Sequence, residues 1–270
     1  MQIGHIEVRT EQSLDIQPHI HQKVQDIRII SLTPDIIHLR DLLYKLLEEP
    51  LGRLKSRQYI FINSVEKLSP FHAQLARTKL NADRELNAGA KGMYWAAINQ
   101  LDPLARALEN LLTKSVASCF NKLKEIKSGQ FDDEAGGGGS GTKGKKNSKT
   151  SAKIASSEAF VTLFRETQQV MSAPGGDLHP KMVVMLDDMK AHFQAAEDRG
   201  EQTRVMVFCS HRDMVEELVE YINRKRPLLR AERFIGQGSD TKGRKGFNQK
   251  QQLDVCSLTS AVSLALTYQR

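Results

Sequence analysis

Cysteine is scarce in this sequence: 270 residues hold three, Cys119, Cys209 and Cys256, far apart and without CxxC spacing. That argues against a disulfide framework and a cysteine zinc site, and it fits a reducing compartment. No apolar run approaches the length of a membrane span, and the N-terminus has no secretory pattern. Aromatic residues make up 6% of the chain, with one tryptophan. Few rings are therefore on offer for stacking on bases; Tyr94 and Trp95 are candidates, but Trp95 shares an apolar face with Ile98, which favours core packing.

The parts needed for phosphoryl transfer are missing too. The chain has no GxxxxGK[ST] loop and no DEAH-like acidic box. GTKGKKNS is glycine-rich and basic, yet it lacks the spacing and a preceding strand. Asp187 and Asp188 in LDDMK are paired acids on a helix with no phosphate loop to serve. Cys209 and His211 are close in sequence, a spacing commoner for a buried strand-end thiol than for a nucleophile. His5, His19 and His21 suggest a metal, but no Cys or carboxylate stands at ligand spacing beside them. No catalytic residue, metal site or cofactor is expected in this chain.

What is present is an ordinary globular composition, 40% hydrophobic and 26% charged, with net charge +7 and a pI near 9.3. A basic balance favours polyanionic partners. Five of those charges, Lys143, Lys145, Lys146, Lys149 and Lys153, lie in one linker around GGGGSGTKGKKNSKTSAK, so the body is only modestly basic. The linker has almost nothing to bury and is expected to be mobile over about 132–156. Its lysines Lys143, Lys145, Lys146 and Lys149 are candidate phosphate contacts; the plainer reading is a solvated spacer. The KGKKNSKTSAK run also fits a nuclear address.

Patterning predicts short strands over HIEVRT and Asp26–Leu32, then helices. Thr33-Pro34 is an N-cap followed by proline at the first helical position. The helix it opens carries Ile36, Leu39, Leu43 and Leu46 on one side and should end at Pro50 and Gly52. Ser69-Pro70 repeats the signal for a helix to about Leu86, broken by Asn87 to Gly89. A helical stretch from Gly92 to about Lys127 should be interrupted at Asp102-Pro103. Its second part carries Leu104, Leu108, Leu111, Leu112, Val116, Phe120 and Leu123 over roughly 37 Å. Ser157 caps a helix to Met171 with Phe160, Leu163, Phe164 and Val170 inward. Pro174-Gly175-Gly176 break the chain. His179-Pro180 start a helix to about Glu197 with Val183, Leu186, Met189 and Phe193 inward; Met182, Met185 and Met189 read as core filler.

The C-terminal quarter carries the most information. RVMVF reads as a fully buried parallel strand, a Cys-Ser-His turn follows, and a helix with Met214, Val215, Leu218, Val219 and Ile222 on one face runs up to Pro227. Ala231–Ile235 is the next strand. Ligands of such βαβ units gather at the carboxyl ends of the strands. Those ends carry Ser210, His211 and Arg212, then a glycine-rich basic loop, GQGSDTKGRKGFNQKQQ, suited to phosphate oxygens.

RVMVFCSHRD followed by GQGS, KG and KGFNQKQQ resembles the start of the second RecA-like domain of superfamily 2 helicases. Within them it is most similar to the Fanconi anaemia group M family and its fungal and archaeal Hef-like relatives. The RTE-S-DIQ-H string near the N-terminus is similar to the family's connector from the first RecA-like domain to the helical insert, and the HPK helix to the one before the second domain. The resemblance implies an α/β class with a large all-α insert: a helical, thumb-like domain followed by an incomplete RecA-like parallel α/β domain. It divides the chain into connector strands over 1–32 after a missing first domain, a helical insert over 33–198, the start of the second RecA-like domain over 199–255, and a divergent tail over 256–270. After Leu253-Asp254-Val255 the family's arginine-finger and DNA-coupling motifs do not appear, and a sheet short of strands would expose an edge.

By the same resemblance, Ser210 and Arg212 touch the backbone of the tracked strand, with Gly236, Lys242, Lys245, Gln249 and Lys250 nearby. Plainer roles stand beside these: Arg212 as a helix cap or ion-pair member, Gln249 as an ordinary helix-start residue. The family implies forked or branched DNA as partner, repair-complex proteins beside it, a nuclear location, and ATP with Mg²⁺ as cofactors of the full-length proteins. This chain is expected to bind DNA without hydrolysing ATP. The alternatives are a catalytically inactive branched-DNA-binding or protein-docking module, and an RNA-sensing superfamily 2 relative, since backbone contacts alone do not separate DNA from RNA.

Overall fold

Thr33 does what its position in the sequence asks of it. Its hydroxyl accepts from the Ile36 N–H at 3.4 Å, Pro34 takes the first helical position, and helix α1 runs over Pro34–Ser56. In the computed structural model, residues 4–20, 25–129, 149–201, 203–224, 229–234, 246–251 and 262–268 are described. A short N-terminal unit ends at Ser31, and everything from Leu32 onward forms a second unit.

The N-terminal unit contains no strand among its described residues. HIEVRT and Asp26–Leu32 alternate as strands do, but Ile6, Val8, Ile27 and Ile29 are exposed and no ladder partner is described for them. Period-2 patterning specifies a strand only where a neighbouring strand completes the hydrogen bonds. The segment is instead held by Arg9, which pairs with Glu7 and Asp15, and by one 3₁₀ turn over Gln17–His19.

In the second unit α1 continues through Pro50 to Ser56, past the expected stop. A mid-helix proline forfeits one backbone bond and costs about 3 kcal/mol. Pro50 is buried among Leu47, Leu51 and Leu54, so tertiary burial offsets the loss. Leu47 takes the core position, with Leu46 at its margin. Helix α2, Pro70–Ala82, starts with the Ser69 N–H donating to His72 Nδ1 at 3.1 Å and ends four residues before Leu86. Asn87 is a start rather than a break: its side chain accepts from the Ala90 N–H at 2.8 Å and caps α3, Ala88–Thr113.

Helix α3 passes through Pro103 without interruption. Its 26 residues extend about 39 Å. Buried Asp102 accepts from Arg77 at 2.7 Å and from Arg106 at 3.0 Å, tying α3 to α2 beside the proline. The break falls instead at Lys114, after which Ser115 caps α4, Val116–Ser128. The single helix expected from Leu104 to Lys127 is therefore two. Helix α5, Lys149–Ala155, occupies the end of the supposed mobile linker because Ile154 is buried against the helical core. Helix α6, Glu158–Ser172, is capped by Ser157 and buries Phe160 and Leu163, with Phe164 and Val170 at the core margin. Tyr94 meets Tyr59 edge-on at 5.2 Å and Trp95 packs on this core, so both rings serve the interior.

A turn at Pro174–Gly176 follows. Gly175 takes φ +74°, and a Cβ on Gly176 would lie 1.9 Å from the Val170 carbonyl oxygen, so glycine is required at both positions. Helix α7, Pro180–Asp198, buries Met182, Leu186, Met189 and Phe193, while Val183 faces out at 41% exposure. Its buried side belongs to a second core shared with a parallel sheet. Strand β1 is Thr203–Cys209, helix α8 is Arg212–Asn223, and β2 is Ala231–Phe234. Met214, Val215, Leu218 and Ile222 of α8 are buried, with Val219 at the margin. Pro227 and Ile235 lie outside the described residues.

β1 is not buried on both faces. Val205 and Val207 turn toward the second core, whereas Met206 and Phe208 are 53% and 58% exposed. A β3 strand, Val262–Tyr268, lies in the stretch expected to be a divergent tail, and it pairs parallel with both others in the order β1-β3-β2.

Candidate nucleic-acid interface at the carboxyl edge of the sheet

Register fixes where the strands end. Phe208 of β1 and Phe234 of β2 both sit opposite Thr267 of β3, so the carboxyl ends of β1 and β2 lie on one edge with one strand between them. Two inter-strand spacings separate them by roughly 10 Å. This is where an open α/β sheet receives ligands.

Ser210 follows β1 in an exposed bend and makes no hydrogen bond among the described residues. Arg212 is the first residue of α8, with its side chain outside the described residues. Gly236, Lys242 and Lys245 also lie outside them. The chain is described again at 246–251, where Asn248 and Gln251 close a reciprocal cap: the Asn248 N–H donates to Gln251 Oε1 at 2.9 Å, and the Gln251 N–H to Asn248 Oδ1 at 2.8 Å. Gln249 is thus a helix-start residue, and both it and Lys250 are exposed. The Arg233 guanidinium of β2 lies 5.6 Å from the centre of the Phe247 ring, which holds this turn beside β2. Asn223 fixes β2 to α8, donating to the Ala231 carbonyl at 3.0 Å and accepting from the Ala231 N–H at 3.1 Å. Ser210 thus follows the end of β1, and the turn that carries Lys250 lies against β2 through Phe247. The linker lysines Lys143, Lys145 and Lys146 lie outside the described residues; Lys149 opens α5, its side chain undescribed.

Sequence reasoning missed the helical side of this edge. Lys181 on α7 donates to the Thr113 carbonyl at 2.5 Å, closing the end of α3 with a cation. Glu217 on α8 accepts from Ser115 Oγ at 2.7 Å and Ser118 Oγ at 3.3 Å, which seats a carboxylate at the start of α4. Ser115 and Glu217 are 102 residues apart, so no local pattern announces the pair.

Burial acts against thiolate formation at Cys209 and Cys119. Burial pushes the Cys209 thiol up, against the opposing charge of Lys181, and pushes Cys119 up to about 12. Burial likewise lowers Lys181. His211 is held below the ordinary histidine value of 6.5 by burial first and then by Lys114, against Glu109 and Asp213, with Lys181 adding to the depression. His179 is lowered by burial and by Lys181, against a backbone hydrogen bond with Leu112, and its Nδ1 accepts from the Lys181 N–H at 3.3 Å.

A histidine depressed in the folded state binds fewer protons there than when unfolded. The stability it contributes is complete above pH 6.5 and is lost as pH falls through 6.5 toward the lower folded value. Urea midpoints are therefore expected to fall between pH 7.5 and 5.5, and less steeply in the His179→Asn/His211→Asn double variant. An equal slope in that variant would contradict the assignment.

Other candidates do not assemble. Asp187 of the LDDMK pair is bonded to Lys190 at 3.1 Å on an exposed face. Among the described residues no group of His, Cys, Asp and Glu is placed to hold a metal, and no helix is long and apolar enough to cross a membrane. A shallow hollow of about 390 Å³ between α1 and the 63–66 segment lies away from the edge, and its Lys55 is bonded to the Asn63 carbonyl.

No family model matches the chain. It is 30% identical over 256 residues to the ATP-dependent DNA helicase mph1 of Neurospora crassa, covering 93% of this chain and 21% of that protein. It is 28% identical over 255 residues to the ATP-dependent DNA helicase MPH1 of Pyricularia oryzae, covering 93% and 22%. The chain thus spans about a fifth of the length of these relatives. Its fold is similar to the crystal structure of the Pyrococcus furiosus Hef helicase domain, with a TM-score of 0.70 at 21% identity over 98% of this chain and 50% of that one.

Proposed function

We propose that the chain is part of a Fanconi anaemia group M and Hef-like superfamily 2 DNA helicase, and that it grips the backbone of DNA, forked or branched, at the carboxyl edge of its sheet. The observation that supports the reading is the shared register of β1 and β2 on Thr267, which sets the strand end before Ser210 level with the end of β2, whose Arg233 lies against Phe247 of the Lys250 turn. Both side chains are exposed and neither is committed to another group among the described residues. Phosphate oxygens would accept from the Ser210 hydroxyl and the Lys250 ammonium, contacts that position a strand without reading its sequence. Arg212, Gly236, Lys242, Lys245 and Gln249 belong to the same proposed contact. The helical insert would grip the duplex beside it, with the linker lysines on its phosphates.

Turnover of ATP is not part of the proposal. The residues present do not fit a nucleotide with Mg²⁺: the sequence has no phosphate loop and no DEAH-like box, and Asp187 of the LDDMK pair is bonded to Lys190 on an exposed helix face. The full helicase would remodel DNA in nuclear repair, with repair proteins as partners; this chain would supply DNA contact alone.

The test is equilibrium binding of the purified chain to forked, duplex and single-stranded DNA across a salt series, with ATP hydrolysis followed in parallel. Fork-preferring, salt-dependent binding without DNA-stimulated hydrolysis is expected. Replacing Lys143, Lys145, Lys146 and Lys149 by alanine should flatten the log–log salt slope by about 3 to 4. Appreciable hydrolysis, or no binding at low salt by a folded sample, would sink the proposal; preference for RNA would move it to the RNA-sensing relatives.

A further inference from the structure

Lys114 stands at a corner of the helical part that both α7 and α8 hold in place. Its neighbours on each side are fixed: the Thr113 carbonyl accepts from Lys181 of α7, and Ser115 Oγ donates to Glu217 of α8. Lys114 itself caps α3 in a non-helical conformation, φ −110° and ψ −94°, between two helices. Its backbone is thus anchored to the elements that flank the end of β1. Its ammonium makes no hydrogen bond or ion pair among the described residues, and the side chain is part-exposed. Among the charges acting on His211, Lys114 is the largest contributor, ahead of Glu109, Asp213 and Lys181. An uncommitted cation therefore sits on a corner that is bonded to α8 at Glu217, five residues or about 7.5 Å of helix after Arg212, and its charge acts on His211.

We propose that Lys114 is a backbone-binding residue: one phosphodiester of the bound strand is held between its ammonium and the Ser210–His211 turn. This rests on the reading of the sheet edge as the DNA contact. The helical part and the α/β part each supply one side of the grip, and the Glu217–Ser115 bond keeps the sides in register. A bound strand then ties the two cores together through a group that belongs to neither.

The experiment is the salt series repeated on the full chain with Lys114→Ala, Lys114→Arg, Ser210→Ala and Lys250→Ala, using single-stranded and duplex oligonucleotides, with exposed Lys45→Ala on α1 as control. Lys114→Ala is expected to reduce the log–log slope by about 1 and weaken binding alike across sequences; Lys114→Arg should restore both, and Lys45→Ala should change neither. Lys114→Cys carrying a photo-activated crosslinker should attach to the oligonucleotide. Inorganic phosphate at constant ionic strength should leave oligonucleotide binding unchanged. If Ser210→Ala and Lys250→Ala weaken binding while Lys114→Ala and the crosslinker show nothing, the inference fails and the edge reading stands. If no variant matters, both fail. Displacement of the oligonucleotide by low millimolar phosphate would mark a free-phosphate site and overturn the inference.

Discussion

Phe160→Ala is expected to destabilise the chain by about 3–5 kcal/mol, the range for deleting a fully buried aromatic side chain. Phe160 is 1% exposed, and its ring lies 6.4 Å from Phe164, which in turn meets Phe120 of α4 at 5.0 Å. This aromatic series helps seat α6 on α4, while other contacts seat it on α1. Removing its buried end leaves a cavity that the long helices α1 and α3 cannot collapse into without losing their own packing. For a chain of this size the melting temperature should drop on the order of 10 °C. Phe160→Leu, which keeps most of the volume, should cost under about 1.5 kcal/mol. Urea titration checks both: the midpoint should move with an unchanged slope. A loss below about 1 kcal/mol in the alanine variant would mean that the helices relax around the gap.

Asp102→Ala is expected to cost about 2–3 kcal/mol. Removing one partner of a buried ion pair typically costs about 3–5 kcal/mol, because the other charge is left desolvated. Here the two guanidiniums are 23% and 29% exposed and can turn partly to water, which lowers the figure. The effect is still large because Asp102 joins α2 to α3 beside Pro103, where α3 already lacks one backbone bond. A double-mutant cycle with Arg77→Ala should return a coupling of about 1–2 kcal/mol. Coupling near zero would reduce the contact to an ordinary surface pair.

Both residues show what local sequence chemistry reveals and what it hides. The caps at Thr33, Ser157 and His179 were legible because an N-cap bonds backbone only two or three residues away. Pro50 and Pro103 misled for the same reason: their local signal is to stop, and only burial against distant helices overrides it. The break at Lys114–Ser115 carries neither glycine nor proline, so its signal was faint beside Asp102-Pro103. The strand end was legible in RVMVFCSHRD, whose β-branched run and following amphipathic helix define a βαβ unit. β3 was not, because its sequence departs from the family's pattern, although VSLALTY has the strand-forming composition of a pairing segment. At the proposed site, Ser210, Gln249 and Lys250 were candidates through the family resemblance. Lys181 and Glu217 could not be named from sequence, since their partners Thr113 and Ser115 lie 68 and 102 residues away along the chain.

The most direct measurement is amide hydrogen exchange of the chain with and without a forked oligonucleotide. The account predicts slowed exchange at 209–213, at 246–251 and at the 113–116 corner, with the outward face of α1 unchanged. Protection confined to the helical part, with the strand ends exchanging as in the free chain, would contradict a DNA grip at the sheet edge.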